Sequence, residues 1–191
     1  MNENEAAFLL YIQEHWRTPF FDVFFNIVTL FAEIGLAYIL FSLILFAVRK
    51  TRKTGTVLCL SCAADGLIVN LLLKNIFHRT RPFHLVAYAE KLIPAAWIVP
   101  HSFSFPSGHT AIAFAVATAS VGHMKKRYTL LLFLLALLIG FSRLYLGVHY
   151  PTDVFGGAIA GAVAGVAAQF LSVFLRRKCG DKLNRIFPDM L

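Results

Sequence analysis

The stretch Ser142-Arg-Leu-Tyr-Leu-Gly-Val-His-Tyr-Pro-Thr-Asp153 places an arginine, a histidine and an aspartate between two long apolar runs. Ionisable side chains at the ends of membrane spans are costly to bury and therefore indicate function. Because proline is favoured in the first turn of a helix, Pro151 predicts a helix with Asp153 in that turn and His149 just before it. From there the carboxylate can orient the imidazole and stabilise its positive form. A helix cap beside a surface histidine explains this stretch equally well on its own.

The composition around this stretch is that of a membrane protein. Of the 191 residues, 58% are hydrophobic and 15% are charged, a more apolar balance than that of an average soluble domain. The net charge of +8 could indicate nucleic-acid binding, but the basic residues gather at the ends of the apolar runs. There they are typical of topology determinants and contacts with anionic lipid. We therefore predict membrane lipids, and no nucleic acid, as partners.

The fold class that follows is an all-α, polytopic membrane bundle of about five transmembrane helices plus an N-terminal interfacial helix. It forms a single domain, residues 1–191, with the interfacial helix at 1–18, the bundle at 19–175 and a cytoplasmic basic tail at 176–191. The apolar run 20–48 exceeds what one span needs but is too short for two. We expect it to form one span that ends at Val48, preceded by a short, shallow helical piece.

Two further features concern the bundle interior. Gly157, Gly161 and Gly165 recur every four residues, which predicts a nearly bare helix face for close packing in lipid. Asp65 lies near the middle of the second span, and we expect it to face the bundle and find a partner there.

The basic clusters predict the topology. Residues 49–53, 123–127 and 176–178 fall at alternate span ends, so the positive-inside rule places them in the cytoplasm. The other span ends then share the extracytoplasmic face, and each of them carries a polar cluster: 74–82, 106–109 and 142–153.

These three clusters bring together cations, two histidines, a hydroxyl group and one carboxylate. Arginine forks match the oxygens of phosphate, and the amides of Ser107 and Gly108 at a helix start are expected to point at an anion. So much positive charge around one carboxylate suits an anion better than a divalent metal. We therefore predict a phosphate site with no metal and no other cofactor, built from Lys74, Arg81, Ser107, Gly108, His109, Arg143, His149 and Asp153.

Two histidines in different surroundings can divide acid and base work. His149, paired with Asp153, is the better candidate nucleophile on phosphorus, while His109 could protonate the leaving oxygen and then activate water. Taken singly, Lys74 could be an interface anchor and Ser107 a helix-start residue. Arg79 is expected to contact the loop or lipid headgroups, or to bind a second phosphate.

The three clusters resemble the tripartite signature of the type-2 phosphatidic acid phosphatase superfamily, which shares its helical core with vanadium haloperoxidases. The blocks Lys-x6-Arg-Pro, Pro-Ser-Gly-His and Ser-Arg-x5-His-x3-Asp are all matched. The resemblance implies a metal-independent phosphatase with His149 as nucleophile, Asp153 as its orienting partner and His109 as acid. It implies these phosphate ligands: Lys74, Arg81, Ser107, Gly108 and Arg143.

The short build resembles the bacterial undecaprenyl-diphosphate phosphatases of that superfamily. This implies a multi-pass enzyme of the bacterial plasma membrane, with an extracytoplasmic active site, that returns undecaprenyl diphosphate to undecaprenyl phosphate in recycling of the cell-wall lipid carrier. A phosphatidylglycerophosphate or phosphatidate phosphatase, a lipid phosphotransferase and a haloperoxidase are alternatives within the enzyme class. A lipid-binding or lipid-moving protein is the alternative outside it, although binding a headgroup would need only the cations. The sequence carries no signal for an oligomeric state.

Overall fold

The computed structural model describes residues 3–30, 35–84 and 94–186, and this part of the chain is a helical bundle without strands. The all-α prediction is therefore confirmed. The helices are α1 Glu3–His15, α2 Pro19–Leu30, α3 Leu36–Ala47, α4 Arg52–Asp65, α5 Gly108–Ala119, α6 Lys126–Tyr145 and α7 Pro151–Ile186. α4 continues directly into a π-helical segment, Gly66–Leu73, and a last α-helical turn, Lys74–Phe77.

Within the described residues, three segments are long and apolar enough to cross a membrane: Arg49–His84, Lys126–Tyr145 and Pro151–Lys178. α2, α3 and α5 are also apolar but have 12 residues each. A helix of that length rises about 18 Å, which is less than the roughly 30 Å of a hydrocarbon core. α7 runs on past residue 175, so the first part of the predicted basic tail is helical.

The run 20–48 forms two helices, α2 and α3. Gly35 precedes α3 with a φ of 71°, a left-handed conformation that a continuous helix does not contain and that glycine adopts readily. α2 corresponds to the expected short helical piece, but α3 is shorter than the expected span. Residues 31–34, which join the two, lie outside the described residues, as do residues 85–93.

The close contact between α5 and α7 positions the functional residues. A side chain at Gly161 would collide with the Ala111 carbonyl oxygen, and a Cβ at Gly157 would lie 2.6 Å from the Ser107 carbonyl oxygen. Only glycine permits this approach, so the predicted bare face is confirmed. The contact brings the start of α5, at Gly108, next to the start of α7, at Pro151.

The N-terminal helix α1 packs against the bundle with one face. Ala6, Leu9 and Ile12 are buried, whereas Tyr11 and Trp16 on the other side are exposed. Leu9 packs on Tyr150, the residue immediately before α7. α1 therefore lies beside the turn that connects α6 to α7, which is the stretch that carries His149.

Candidate active site

The third cluster folds as the sequence predicts, since α7 begins at Pro151 with Asp153 in its first turn. The Oδ2 atom of Asp153 accepts a hydrogen bond from the backbone N–H of Tyr150 at 2.9 Å, which caps the helix. The same oxygen lies 3.4 Å from Nδ1 of His149. Asp153 is therefore both a helix cap and the neighbour of the histidine, but the alternative of a surface histidine is wrong, because His149 is buried.

The proton on His149 can be assigned from its second neighbour. Nη1 of Arg81 lies 3.2 Å from Nε2 of His149, and a guanidinium can only donate. Nε2 therefore carries the lone pair, and Nδ1 carries the proton that faces Asp153. The distance of 3.4 Å between Nδ1 and Oδ2 is long for a hydrogen bond, and such bonds often tighten when a substrate binds.

The His149 ring is held in its neutral form. Burial, together with the nearby Arg81 and Arg143 cations, lowers the pKa of His149 from 6.5 to about 3, although Asp153 acts in the opposite direction. The ring is 1% exposed, which explains why desolvation has the largest effect. A neutral imidazole with its lone pair on Nε2 is the form that can attack phosphorus.

The first cluster joins the third through Arg81. This side chain is 3% exposed and donates to the Val148 carbonyl oxygen at 2.9 Å and the Ser102 carbonyl oxygen at 2.7 Å. Lys74, in the last turn of the α4 segment, donates to the Ser102 hydroxyl at 3.1 Å. Ser102 therefore holds two of the predicted phosphate ligands together, a role that no sequence pattern indicated.

The second cluster meets the third at Ser107, which directly precedes α5. Its backbone N–H donates to the Asp153 carbonyl oxygen at 3.0 Å, so the expectation that this amide points at an anion is wrong. A helix start alone predicts an amide that is available to a ligand. Here the close contact between α5 and α7 at Gly157 brings the Asp153 carbonyl oxygen within hydrogen-bond distance of that amide. The Ser107 hydroxyl accepts a bond from Thr110 at 3.0 Å and keeps its own proton for donation.

The next residue of that cluster, Gly108, borders the same space. A Cβ at Gly108 would lie 3.5 Å from Nζ of Lys74, so the bare backbone of Gly108 borders the lysine ammonium. His109 follows in the first turn of α5 and is half-buried. The structure thus brings the starts of α5 and α7 and the end of the α4 segment to one end of the bundle.

Arg143 completes the set from the last turn of α6. It is 1% exposed, and its Nη1 donates to the Thr29 hydroxyl at 3.1 Å. That hydroxyl also lies 2.9 Å from the Ser142 hydroxyl. α2 therefore forms a wall of the site. The contact between Thr29 and Arg143 joins residues more than one hundred positions apart, so local patterns do not reveal it.

Arg79 forms ion pairs within the protein that the sequence did not predict. Its guanidinium lies 2.6 Å from Oδ1 of Asp153 and 2.8 Å from Oε2 of Glu5. Its backbone carbonyl oxygen accepts a hydrogen bond from the N–H of Ser104, in the loop before α5, at 2.8 Å. The predicted loop contact is therefore present, while the headgroup and second-phosphate contacts stay predictions.

Asp153 has polar partners on both of its oxygens. Besides His149 and the Tyr150 amide, Oδ2 accepts a short hydrogen bond from the Ser104 hydroxyl, and Oδ1 pairs with Arg79. These contacts fix the rotation of a carboxylate that is fully buried. Within residues 3–30, 35–84 and 94–186, no group of three or more His, Cys, Asp or Glu side chains is placed to hold a metal ion.

A family model described as the PAP2 superfamily matches residues 54–177, a range that includes every predicted site residue. The chain belongs to the PAP2 superfamily. It is a multi-pass membrane protein and a lipid phosphatase, a hydrolase that acts on phosphate esters. The resemblance read from the three sequence clusters is thereby confirmed.

Relatives within the PAP2 superfamily differ in the lipid that they are named for. The chain is 33% identical to an undecaprenyl-diphosphatase of Bacillus subtilis over 78% of this chain and 74% of the relative. It is 34% identical to phosphatidylglycerophosphatase B of the same organism over 74% of this chain and 64% of that one. The crystal structure of Aquifex aeolicus LpxE superposes with a TM-score of 0.70 at 36% identity, covering 86% of this chain and 94% of that one.

Proposed function

We propose that the protein hydrolyses undecaprenyl diphosphate to undecaprenyl phosphate and inorganic phosphate through a phosphohistidine intermediate on His149. The observation that carries the mechanism is the orientation of that ring, whose Nε2 lone pair faces Arg81 while its Nδ1 proton faces Asp153. An imidazole held between an acid and a cation is oriented for attack on an anionic phosphoryl group. The similarity to an undecaprenyl-diphosphatase over most of the chain supports the choice of lipid.

In the first step, Arg81 moves from Nε2 to an oxygen of the terminal phosphate, which frees the lone pair. Nε2 of His149 attacks the terminal phosphorus, the N–P bond forms, and the bond from phosphorus to the bridging oxygen breaks. His109 donates a proton to the leaving oxygen of undecaprenyl phosphate. The ring of His149 is then positively charged, and Asp153 stabilises it through the Nδ1 proton.

In the second step, the neutral His109 accepts a proton from water, and the water oxygen attacks the phosphorus. The N–P bond breaks, its electron pair returns to Nε2, and inorganic phosphate leaves. The negative charge on the equatorial oxygens needs positive partners in both steps. We assign this role to Lys74, Arg81 and Arg143, with the Ser107 hydroxyl and the backbone of Gly108.

We place the site at the extracytoplasmic face. Arg52 begins α4 and Lys74 begins its last turn, so one continuous helix separates the basic cluster 49–53 from the site. Their 22-residue separation corresponds to about 33 Å, close to the thickness of a hydrocarbon core. If the basic cluster lies in the cytoplasm, Lys74 and the residues around it lie at the opposite face, and the helix α7 leads the C-terminus back to the cytoplasm.

The test is release of inorganic phosphate in EDTA by purified protein, compared across undecaprenyl diphosphate, phosphatidylglycerophosphate and phosphatidate. We expect the highest kcat/KM with undecaprenyl diphosphate and no turnover by His149→Gln. The matched control is His123→Gln, since His123 is exposed on the turn between α5 and α6 at the other end of the bundle. Preference for phosphatidylglycerophosphate, which similarity to phosphatidylglycerophosphatase B makes the second candidate, would overturn the lipid assignment but leave the mechanism intact.

A further inference from the structure

A chain of charged contacts connects the N-terminal helix to the proposed catalytic pair. Glu5 on α1 pairs with Arg79 at 2.8 Å, and Arg79 pairs with Asp153 at 2.6 Å. Asp153 in turn lies 3.4 Å from His149. Three of these four side chains are at most 8% exposed, and interactions between charges are strong where water is excluded.

Glu5 is anchored by both of its oxygens. Oε1 accepts hydrogen bonds from the backbone N–H of Thr152 at 2.9 Å and from its hydroxyl at 2.6 Å, while Oε2 pairs with Arg79. The guanidinium of Arg79 also lies 4.2 Å from the ring centre of Tyr150. α1 is thus pinned to the first turn of α7, and the Arg79 side chain is fixed in one orientation.

This arrangement controls how the charge of Asp153 is shared. Arg79 holds Oδ1, whereas Oδ2 faces the imidazole. The positive charge of Arg79 competes with the His149 ring for the same carboxylate, and Glu5 offsets part of that competition. The other charged or titratable groups around the pair come from the α4 segment, the loop after it, the start of α5 and the end of α6: Lys74, Arg81, His109 and Arg143.

We infer that Glu5 and Arg79 are positioning residues for the His149–Asp153 pair, which fix the rotation of the carboxylate and set the strength of its bond to the imidazole. This inference rests on the proposed role of His149. It also means that Arg79 serves the monophosphate and the diphosphate reaction alike, rather than binding a second phosphate group.

The inference predicts opposite effects for two charge-removing variants. In Arg79→Gln the carboxylate loses its competing cation, so its hydrogen bond with Nδ1–H of His149 strengthens. In Glu5→Gln the charge of Arg79 is no longer offset, so that bond weakens. Arg79→Lys keeps the charge and should lie close to the wild type. Glu14→Gln removes an exposed acid from the same helix and is the matched control.

The bond can be followed without turnover by the ¹H chemical shift of the His149 Nδ1 proton in ¹⁵N-histidine-labelled protein in detergent micelles, with His149→Gln for assignment. We expect a downfield shift in Arg79→Gln, an upfield shift in Glu5→Gln and wild-type positions in Arg79→Lys and Glu14→Gln. Shifts of the same sign in Arg79→Gln and Glu5→Gln, or none in folded protein, would overturn the inference. A variant that does not fold would leave the other variants to decide it.

Kinetics supply the second readout. In Arg79→Gln we expect kcat to change by the same factor with undecaprenyl diphosphate and with a lipid monophosphate, with KM nearly unchanged, because the variant alters the His149–Asp153 bond and not the binding of either lipid. A rise in KM restricted to the diphosphate would show a second-phosphate ligand instead and overturn the inference. Failure of the wild type to hydrolyse any of these lipids would refute the proposed function, while the chemical shifts would still decide whether Glu5 and Arg79 position the pair.

Discussion

The variant Gly108→Ala tests the phosphate site without disturbing the fold. A methyl group at position 108 would lie 3.4 Å from Oδ1 of Asn70 and 3.5 Å from Nζ of Lys74. These are ordinary van der Waals distances, so the variant should fold with wild-type stability. The methyl group nevertheless occupies the space in which a phosphate oxygen would meet both the Lys74 ammonium and the backbone of Gly108.

The cost can be estimated from that lost contact. A hydrogen bond to a charged group contributes about 1.5–3 kcal/mol, which corresponds to a fall in kcat/KM of about tenfold to about 150-fold. The assay is phosphate release from the lipid that the wild type hydrolyses best, together with thermal unfolding in the same detergent. Folded Gly108→Ala with wild-type kcat/KM would refute the placement of phosphate beside Lys74.

Variants of two other glycines serve as comparisons for Gly108→Ala. Gly66→Ala is the matched control, since a Cβ there meets nothing within 4 Å; its activity should equal that of the wild type, and its stability should be at least as high because alanine favours the helix. Gly161→Ala should instead lower the stability of the fold, because its methyl group would collide with the backbone of Ala111 in α5. We expect at least about 1–3 kcal/mol of destabilisation from such overpacking.

Three further predictions concern the nucleophile and its surroundings. Because the pKa of His149 is lowered to about 3, the neutral nucleophile persists as the pH falls through 6.5, so kcat/KM should not decline between pH 7 and pH 5; a decline centred near pH 6.5 would contradict this. Thr29→Val leaves Nη1 of Arg143 without the acceptor that it has at 3.1 Å and should lower stability by about 1–3 kcal/mol in thermal unfolding, whereas Thr54→Val, at the opposite end of the bundle, should cost less. Vanadate should inhibit in competition with the lipid, and equally well in buffer freed of divalent cations by a chelating resin; inhibition that requires added metal would count against a metal-free site.

Much of the site was predictable because its chemistry lies in short local patterns. Pro151 and Asp153 define a helix start, and the spacing of Gly157, Gly161 and Gly165 defines a packing face. Both signals depend on residues within one or two turns. The alternation of basic and polar span ends then predicts that distant clusters share one face of the membrane.

The remaining parts depend on contacts that no local pattern encodes. Glu5 contacts Thr152, and Thr29 contacts Arg143, over more than one hundred positions of the sequence. Neither Glu5 nor Thr29 stands out from its local sequence. The Ser107 amide is satisfied by Asp153 only because α7 approaches α5 so closely. The largely apolar run 20–48 does not by itself predict the interruption at Gly35, whose backbone is left-handed.

The central claim is that phosphate passes through Nε2 of His149. The most direct test is a rapid-quench reaction with undecaprenyl diphosphate labelled with ³²P in its terminal phosphate, followed by analysis of the protein. We predict a transient protein-bound label that is stable in alkali, labile in acid and absent from His149→Gln, while His123→Gln labels like the wild type. Labelling of His149→Gln, or its release of phosphate at the wild-type rate, would contradict the account.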